Sequence, residues 1–112
     1  MNKFVAEYTQ EAKNQISSLP KKERKKIIEA IATFELVGTE YKNIRNLGDG
    51  LFEIKPKGVR AYFMYDKNRQ AIIIIGFVCL KKTKEAPLRY MKQARQNIIN
   101  YMENVKNEKN YY

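Results

Sequence analysis

The pattern of apolar and polar positions divides this 112-residue chain into two helical segments, a run of short strands and a final helix. Apolar residues recur at spacings of three and four from Phe4 to Leu19, which predicts a first helix. A second helix is predicted from Pro20 to about Val37, because proline suits the first helical position. Gly38 is the residue at which we expect this helix to stop.

The middle of the chain predicts three antiparallel strands. Leu51–Lys55 alternates apolar and polar residues, and Val59–Tyr65 follows it after a Pro-Lys-Gly turn. Ala71–Val78 is a continuous apolar run, which is typical of a central strand covered on both faces. We therefore expect a three-stranded meander.

The register of the first hairpin follows from its apolar residues. Placing Ile54 opposite Ala61 and Phe52 opposite Phe63 puts the apolar side chains on one face, as one buried side requires. The other face is then expected to be open and to carry polar side chains. They are Lys55, Arg60, Glu53 and Tyr62.

The remaining segments complete one small domain. Residues 39–46 have no clear period and are expected to form a connector, and residues 47–50 form a turn. The last helix is expected to start at Thr83 or Glu85, with an apolar stripe that runs to Val105.

The order of these elements predicts an α+β fold, with two N-terminal helices, a small antiparallel sheet and a C-terminal helix. We expect the helices on one face of the sheet, in a single domain over residues 1–105. Residues 106–112 lack a period and are expected to form a loose tail.

The composition of the chain narrows the class of partner that we expect it to bind. The chain carries 22 basic and 12 acidic residues, a net charge of +10, and a domain this small and basic is expected to meet polyanions. A solvated lysine-rich surface is the alternative. The basic run of residues 21–26 is open to both interpretations, as a solvated helix face or as a contact with ribosomal RNA or an acidic partner.

The scarcity of histidine and cysteine excludes several chemistries. With no histidine and one cysteine, the chain cannot form an imidazole acid–base pair, an ordinary zinc cluster or an internal disulfide. We expect no metal and no cofactor, and Cys79 to be a packing residue. Since no apolar run nears membrane-spanning length and no signal core follows the N-terminus, we expect a cytoplasmic protein without membrane contact.

An ordered set of motifs carries a family resemblance. A Leu-Phe-Glu-Ile-Lys strand at 51–55 precedes Val-Arg-Ala-Tyr-Phe at 59–63 and an isoleucine-rich strand ending in Gly-Phe. Lys-Lys-Thr at 81–83 and a helix opening with Ala-Pro at 86–87 follow. Over roughly residues 19–103 the set resembles the RelE/ParE superfamily of toxins from toxin–antitoxin pairs, and is closest to its phage-type HigB branch.

The chain also departs from that pattern. Glu53-Ile54-Lys55 stands where the branch commonly has Glu-Leu-Arg, and Cys79 and Leu80 shift the following lysines by one residue. The N-terminal strand usual in the family is not evident.

The resemblance implies a metal-independent endoribonuclease that cuts mRNA, usually in the ribosomal A site. The ribose 2′-OH attacks the adjacent phosphate and leaves a 2′,3′-cyclic phosphate and a 5′-OH. It also implies three partners, namely mRNA, the ribosome and a cognate antitoxin of the helix-turn-helix type.

The resemblance assigns roles residue by residue. Arg60 matches the family arginine that stabilises the transition state, a task that suits a planar guanidinium fork. Lys55 matches the basic residue that positions or activates the 2′-OH. Lys81 and Lys82 match the basic pair that binds phosphate or donates the proton. A lysine among other cations has a lowered pKa and can also serve as a base.

Other residues of this face have two interpretations each. Glu53 could be a base or could simply neutralise a neighbouring cation. Tyr62 could stack on a nucleobase or pack across the strands. Lys57 and Lys84 complete the expected RNA-binding set, with a merely solvated turn as the alternative for Lys57.

Two other functions compete with the ribonuclease hypothesis. One is a ParE-like inhibitor of DNA gyrase without ribonuclease activity, and the other is a non-enzymatic basic module that binds nucleic acid. The Lys55/Arg60 pair on one face, together with the lysine pair, favours the ribonuclease.

Overall fold

A five-stranded mixed sheet with helices on both faces makes up the fold, in a computed structural model that describes residues 2–111. The strands lie in the order β1-β5-β4-β3-β2, with β1 parallel to β5 and the other neighbours antiparallel. The predicted α+β class is confirmed, although the sheet has five strands instead of three. The elements are β1 (Val5–Tyr8), α1 (Gln10–Ser18), α2 (Lys21–Val37), a 3₁₀ turn (Gly38–Glu40), β2 (Ile44–Gly48), β3 (Leu51–Ile54), β4 (Val59–Tyr65), β5 (Ile72–Leu80) and α3 (Leu88–Tyr111).

The first strand, β1, replaces the first half of the predicted N-terminal helix. It pairs with β5 from Val5 opposite Ile72 onward. Thr9 ends the strand and caps α1, because its hydroxyl oxygen accepts the backbone N–H of Ala12 at 3.1 Å. The apolar spacing that suggested a longer helix runs across this cap, so the predicted helix is wrong before Thr9.

The predicted connector contains the edge strand β2. Ile44 lies opposite Ile54 of β3, and a bulge separates Asn46 from Gly48. Gly48 has a φ of 92°, which favours glycine, at the start of the turn to β3. Edge strands are held by backbone hydrogen bonds to one neighbour, so this segment needs no regular apolar pattern.

The predicted register of the central hairpin is confirmed. Phe52 lies opposite Phe63, and Ile54 lies opposite Ala61. β5 lies between β1 and β4 and is buried on both faces, as its continuous apolar run predicted.

The helices cover both faces of the sheet, so the prediction of helices on one face is wrong. α1 and α2 share a core with one face, whereas α3 packs Ala94 and Ile98 against the other. On that second face the strands contribute four large buried side chains, Leu51, Tyr62, Met64 and Ile74. These side chains supply enough apolar surface to bury the apolar stripe of α3. α3 therefore covers the face of the sheet that was predicted to be open.

The last helix starts later and ends later than predicted. α3 begins at Leu88, so residues 81–87 form a loop between β5 and α3, hereafter the 81–87 loop. It extends through Tyr111, into the segment predicted to be a loose tail, and Tyr112 lies outside the described residues. Adding a residue to an existing helix avoids the cost of nucleation, which explains how a segment without apolar period remains helical. None of the helices in the described part of the chain has the length and apolar character needed to cross a membrane.

Gly76 is the point of closest approach between the sheet and α3. It is the unpaired residue of a bulge in β5, and Asn97 of α3 donates a hydrogen bond to its carbonyl oxygen at 2.9 Å. A Cβ atom at this position would lie 2.5 Å from Cγ1 of Ile98 and 2.8 Å from the backbone oxygen of Ala94. Only glycine therefore fits without displacing the helix.

Gly76→Ala is expected to lower the free energy of unfolding by about 1–3 kcal/mol, the usual cost of overpacking a close-packed core. Urea unfolding of the variant measures the loss. Combining it with Ile98→Ala, which removes both clashing side-chain atoms, should cost less than the sum of the two separate losses. A loss of less than about 0.5 kcal/mol, which is usual for a surface substitution, would show that α3 does not approach Gly76 this closely.

An ion-pair network stabilises the end of the β4–β5 hairpin. Arg69 donates to both carboxylate oxygens of Glu7, at 2.8 and 2.7 Å, and to Asp66 at 2.8 Å. Tyr101 of α3 donates to Glu7 at 2.7 Å. The hydrogen bonds from Arg69 and Tyr101 hold the pKa of the Glu7 carboxyl below its ordinary value, against the opposing effect of burial.

Because its pKa is lower in the folded state, Glu7 contributes stability above the ordinary carboxyl pKa and loses it as the pH falls through the folded value. Glu7→Gln is therefore expected to cost roughly 1.5–3 kcal/mol at pH 7, as for hydrogen bonds to charged groups, and clearly less at pH 3. Urea unfolding at both pH values tests this, with exposed Glu11→Gln as the control. An equal loss at both pH values would refute the ionic role.

Candidate functional site

A cleft of about 380 Å³ opens where β5 ends and α3 begins. The two central strands, the 81–87 loop and the first turn of α3 all contribute to it. Its lining residues are Arg60, Cys79, Leu80, Lys82, Thr83, Pro87, Arg89 and Tyr90. It therefore joins one residue from the predicted hairpin face to one of the predicted lysines after β5.

Arg60 lies at the inner side of this cleft, and its guanidinium contacts other groups of the protein. The residue is 2% exposed, and its Nε lies 3.0 Å from a carboxylate oxygen of Glu53, which is 0% exposed. Its terminal nitrogens donate to the carbonyl oxygens of Thr83 at 2.6 Å, Lys84 at 3.0 Å and Glu85 at 3.2 Å. The expectation that Arg60 and Glu53 lie on an open face is wrong.

The contact between Arg60 and Glu53 is an ion pair more than an aligned hydrogen bond. Neither the Nε of Arg60 nor either carboxylate oxygen of Glu53 has a hydrogen-bond partner of good geometry among the described residues, despite the 3.0 Å separation. The pair is held by charge attraction in a buried environment, where removing either partner leaves the other uncompensated.

Tyr62 is also buried and presents no exposed ring face to a nucleobase. It is 0% exposed and packs near Phe77, with ring centroids 6.0 Å apart. Burial, and then neighbouring Cys79 and Glu53, raise the pKa of the Tyr62 hydroxyl far above its usual value. Burial likewise raises the pKa of the Cys79 thiol, with Arg60 opposing. Both groups are therefore neutral at physiological pH.

An exposed arginine and a half-buried tyrosine, absent from the predicted site, form the outer wall of the cleft. The ring of Tyr90 stacks on Phe77 at 4.9 Å between centroids, and the guanidinium of Arg89 lies 4.9 Å from the centre of the Tyr90 ring. Arg89 is exposed in the first turn of α3, where its charge opposes the helix dipole. A bound anion would offset that cost, since helix N-termini favour negative charge.

One of the lysines predicted for the site lines the cleft, and the others lie outside its lining. Lys82 lines it, whereas the neighbouring Lys81 is anchored through its backbone N–H, which donates to the carbonyl oxygen of Gly58 at 3.0 Å. Lys81, Lys82 and Lys84 are exposed on the loop. Lys55, just after β3, is half-buried, and Lys57 is exposed in the β3–β4 turn, and neither lines the cleft.

The chemistry of the cleft suits a phosphate next to a flat ring. Lys82 and Arg89 provide positive charge, the start of α3 adds a partial positive charge, and Tyr90 provides an aromatic surface. Within residues 2–107 no three side chains of the metal-ligating types lie close enough together to hold a metal ion.

A comparison with known protein families shows the family of this chain. A family model described as phage derived protein Gp49-like (DUF891) matches residues 14–98 of the chain. The chain belongs to the Gp49-like family. No curated protein matches this Gp49-like chain significantly.

Solved structures show which fold the Gp49-like chain shares. It is similar to the E. coli toxin RelE, solved as a double arginine-to-alanine mutant in the free state, with a TM-score of 0.64 and 14% identity over 88% of this chain and 99% of that one. It is also similar to a chain of the toxin–antitoxin complex RelBE2 from Mycobacterium tuberculosis, with a TM-score of 0.59 and 16% identity over 70% and 98% of the two chains. The fold is therefore of the RelE type, as the sequence resemblance implied, and the closer assignment to the HigB branch stays a prediction.

Sequence reasoning missed Arg89 and Tyr90, although a signal for them exists. A basic and an aromatic residue stand side by side directly after Ala86-Pro87-Leu88, where the helix was expected to open. Interleaved basic and aromatic residues next to a lysine cluster are typical of nucleic-acid binding.

Proposed function

We propose that the Gp49-like chain is the toxin of a toxin–antitoxin pair and an endoribonuclease that cleaves mRNA on the ribosome, as in the phage-type HigB branch. The observation that carries the proposal is the cationic and aromatic cleft at the end of β5, on a RelE-type fold. A chain with net charge +10 is attracted to RNA, and the cleft is where a phosphate and a base fit together.

In the proposed reaction the substrate supplies its own nucleophile. The 2′-oxygen forms a bond to the adjacent phosphorus while its proton passes to a base, and the bond from phosphorus to the 5′-oxygen breaks as that oxygen gains a proton. Lys82 and Arg89 stabilise the charge on the phosphorane oxygens. Tyr90 stacks on a neighbouring base.

The other predicted residues have different places in this proposal. Lys55 and Lys81 are the candidates for moving protons or positioning the 2′-OH, because Lys81 directly precedes Lys82 and Lys55 follows β3, the strand paired with the one that carries Arg60. Lys57 and Lys84 extend the positive surface along the RNA backbone. Glu53 is not assigned as the base, since its carboxylate is buried beside Arg60.

Mapping mRNA ends tests the proposal. Purified protein is added to translating ribosomes, and the new 5′ ends are sequenced against a reaction without it. New 5′-hydroxyl ends within codons support the proposal. Gyrase-linked DNA breaks without new RNA ends would instead indicate a ParE-like inhibitor, and nucleic-acid binding without either would indicate a non-enzymatic module.

We further propose that the antitoxin lays an acidic segment across the cleft and competes with RNA phosphates. The alternative is docking on α2, whose outer side combines the basic run with exposed Ile28 and Leu36, 48% and 52% exposed. The probe is the cognate antitoxin, which the proposal assigns to a short reading frame beside the gene.

Lys82→Glu is expected to weaken antitoxin binding about tenfold or more, and Lys22→Glu about threefold or less, in calorimetry at fixed salt. Both substitutions change the net charge by the same amount. Any difference in antitoxin affinity between the two variants therefore reflects the position of the changed residue. The reverse order would favour docking on α2 and reject the covered cleft.

A further inference from the structure

We propose that Arg60 is a positioning residue: paired with buried Glu53, it holds the 81–87 loop in the shape that presents Lys82 to RNA. This assignment deepens the proposed function and rests on it for the nature of the ligand. The hold on the loop itself is independent of what the loop binds.

The hydrogen bonds that Arg60 donates go to the backbone of the 81–87 loop. Three consecutive carbonyl oxygens, those of Thr83, Lys84 and Glu85, accept hydrogen bonds from its two terminal nitrogens. A guanidinium has five N–H donors in a rigid fork, so one side chain can fix three successive peptide units that a lysine could not. Thr83 adds a hydrogen bond of 2.7 Å from its hydroxyl to the carbonyl oxygen of Glu85.

The pairing with Glu53 explains why the guanidinium remains under the loop. A buried cation without a counter-charge is unfavourable, and Glu53 supplies that charge from the neighbouring strand β3, 3.0 Å away. With its carbonyl oxygens turned toward Arg60, the loop carries its side chains outward, and Lys81, Lys82 and Lys84 are all exposed. An ordered loop avoids the entropy cost of fixing these cations when a phosphate binds.

The first test removes the pair without changing the charge of the protein. Glu53→Leu/Arg60→Met deletes one charge of each sign, so the net charge of +10 is kept, and apolar residues of similar size replace a buried ion pair. A protease that cuts after lysine reports loop order, because the carbonyl of Lys84 is one that Arg60 holds. Cleavage after Lys84 is expected to be about tenfold faster or more in the double variant.

A second Glu–Arg pair, which is more exposed and shared with Asp66, provides a charge-conserving control. Glu7→Leu/Arg69→Met removes the pair at the opposite end of the β4–β5 hairpin, where Arg69 and Asp66 shape the loop that carries exposed Lys67. This variant should be cut faster after Lys67 and not after Lys84. Equal rates after Lys84 in the Glu53/Arg60 variant and the unmodified protein, with both folded by circular dichroism, would overturn the proposal.

The second test asks whether the loop positions its lysines for RNA. The probe is an uncleavable 2′-O-methyl oligouridylate of 12 nucleotides, titrated over a range of salt concentrations. Each phosphate contact with a single strand contributes about 0.7 to the slope of log affinity against log salt. In the Glu53/Arg60 variant the slope is expected to fall by about 0.7 or more at constant net charge, while the Glu7/Arg69 variant keeps it.

An unchanged salt slope in the Glu53/Arg60 variant would refute the positioning role, since loss of stability alone does not alter the number of phosphates contacted by folded protein. If the unmodified protein produces no new mRNA ends, the proposed ribonuclease fails, and the rate of cleavage after Lys84 still decides whether Arg60 holds the loop.

Discussion

Lys82→Ala/Arg89→Ala is expected to abolish the growth arrest that the proposed toxin causes on expression in bacteria, and to lower the proposed mRNA cleavage at least 10²–10³-fold. The loss of a single preorganised donor to a developing oxyanion typically costs that much, about 2.7–4 kcal/mol of transition-state stabilisation. Both side chains line the cleft and both are exposed, so their removal should change the chemistry much more than the fold. Single-turnover cleavage on ribosomes measures the rate.

The control for this variant removes the same charge elsewhere. Lys3→Ala/Lys67→Ala also deletes two positive charges, from exposed positions that do not line the cleft. It should weaken RNA binding only through net charge and leave the arrest intact. Cleavage by the Lys82/Arg89 variant within about threefold of the unmodified protein, with an unchanged melting temperature, would remove the cleft from the mechanism.

The sequence predicted correctly those parts of the fold whose residue pattern fits a single structure. The hairpin of β3 and β4 has its apolar residues on one face, so a single register buries them, and that register is observed. α2 ends at Val37 with Gly38 as its cap, as predicted, because the φ of 65° at that position suits glycine. β1 was missed since four residues whose apolar spacing continues into α1 fit a helix and a strand equally well.

The candidate site was predicted only in part, and the reason is burial. Glu53, Arg60 and Tyr62 have the composition of a solvated face, and nothing in their spacing shows that α3 and the 81–87 loop cover them. Two opposite charges that neutralise each other can be buried where either alone could not. Lys82 lines the cleft, and its role in binding phosphate stays a prediction. Its place in the cleft depends on where the loop is held, which its spacing in the sequence does not show.

Arg60→Met by itself is expected to be the most destabilising substitution in the site, at roughly 3–5 kcal/mol, because it leaves the carboxylate of Glu53 buried without a counter-charge. The carbonyl oxygens of Thr83, Lys84 and Glu85 would lose their donor as well. Urea unfolding at pH 7 measures the loss. Glu53→Leu/Arg60→Met should recover most of it, since an apolar replacement of a whole buried ion pair is often neutral.

Any activity that Arg60→Met loses has two explanations, and both predict that Glu53→Leu/Arg60→Met stays inactive while regaining stability, because both variants lack the side chain that holds the loop. A further change that fixes residues 81–87 without Arg60 separates the two explanations. If Arg60 contacted the phosphate directly, the protein with the fixed loop would remain inactive, whereas if Arg60 acts through the loop, the order of the loop and the activity should be restored together. A single variant as stable as the unmodified protein would show that Glu53 does not depend on Arg60, and would remove the physical basis for treating the two residues as a pair.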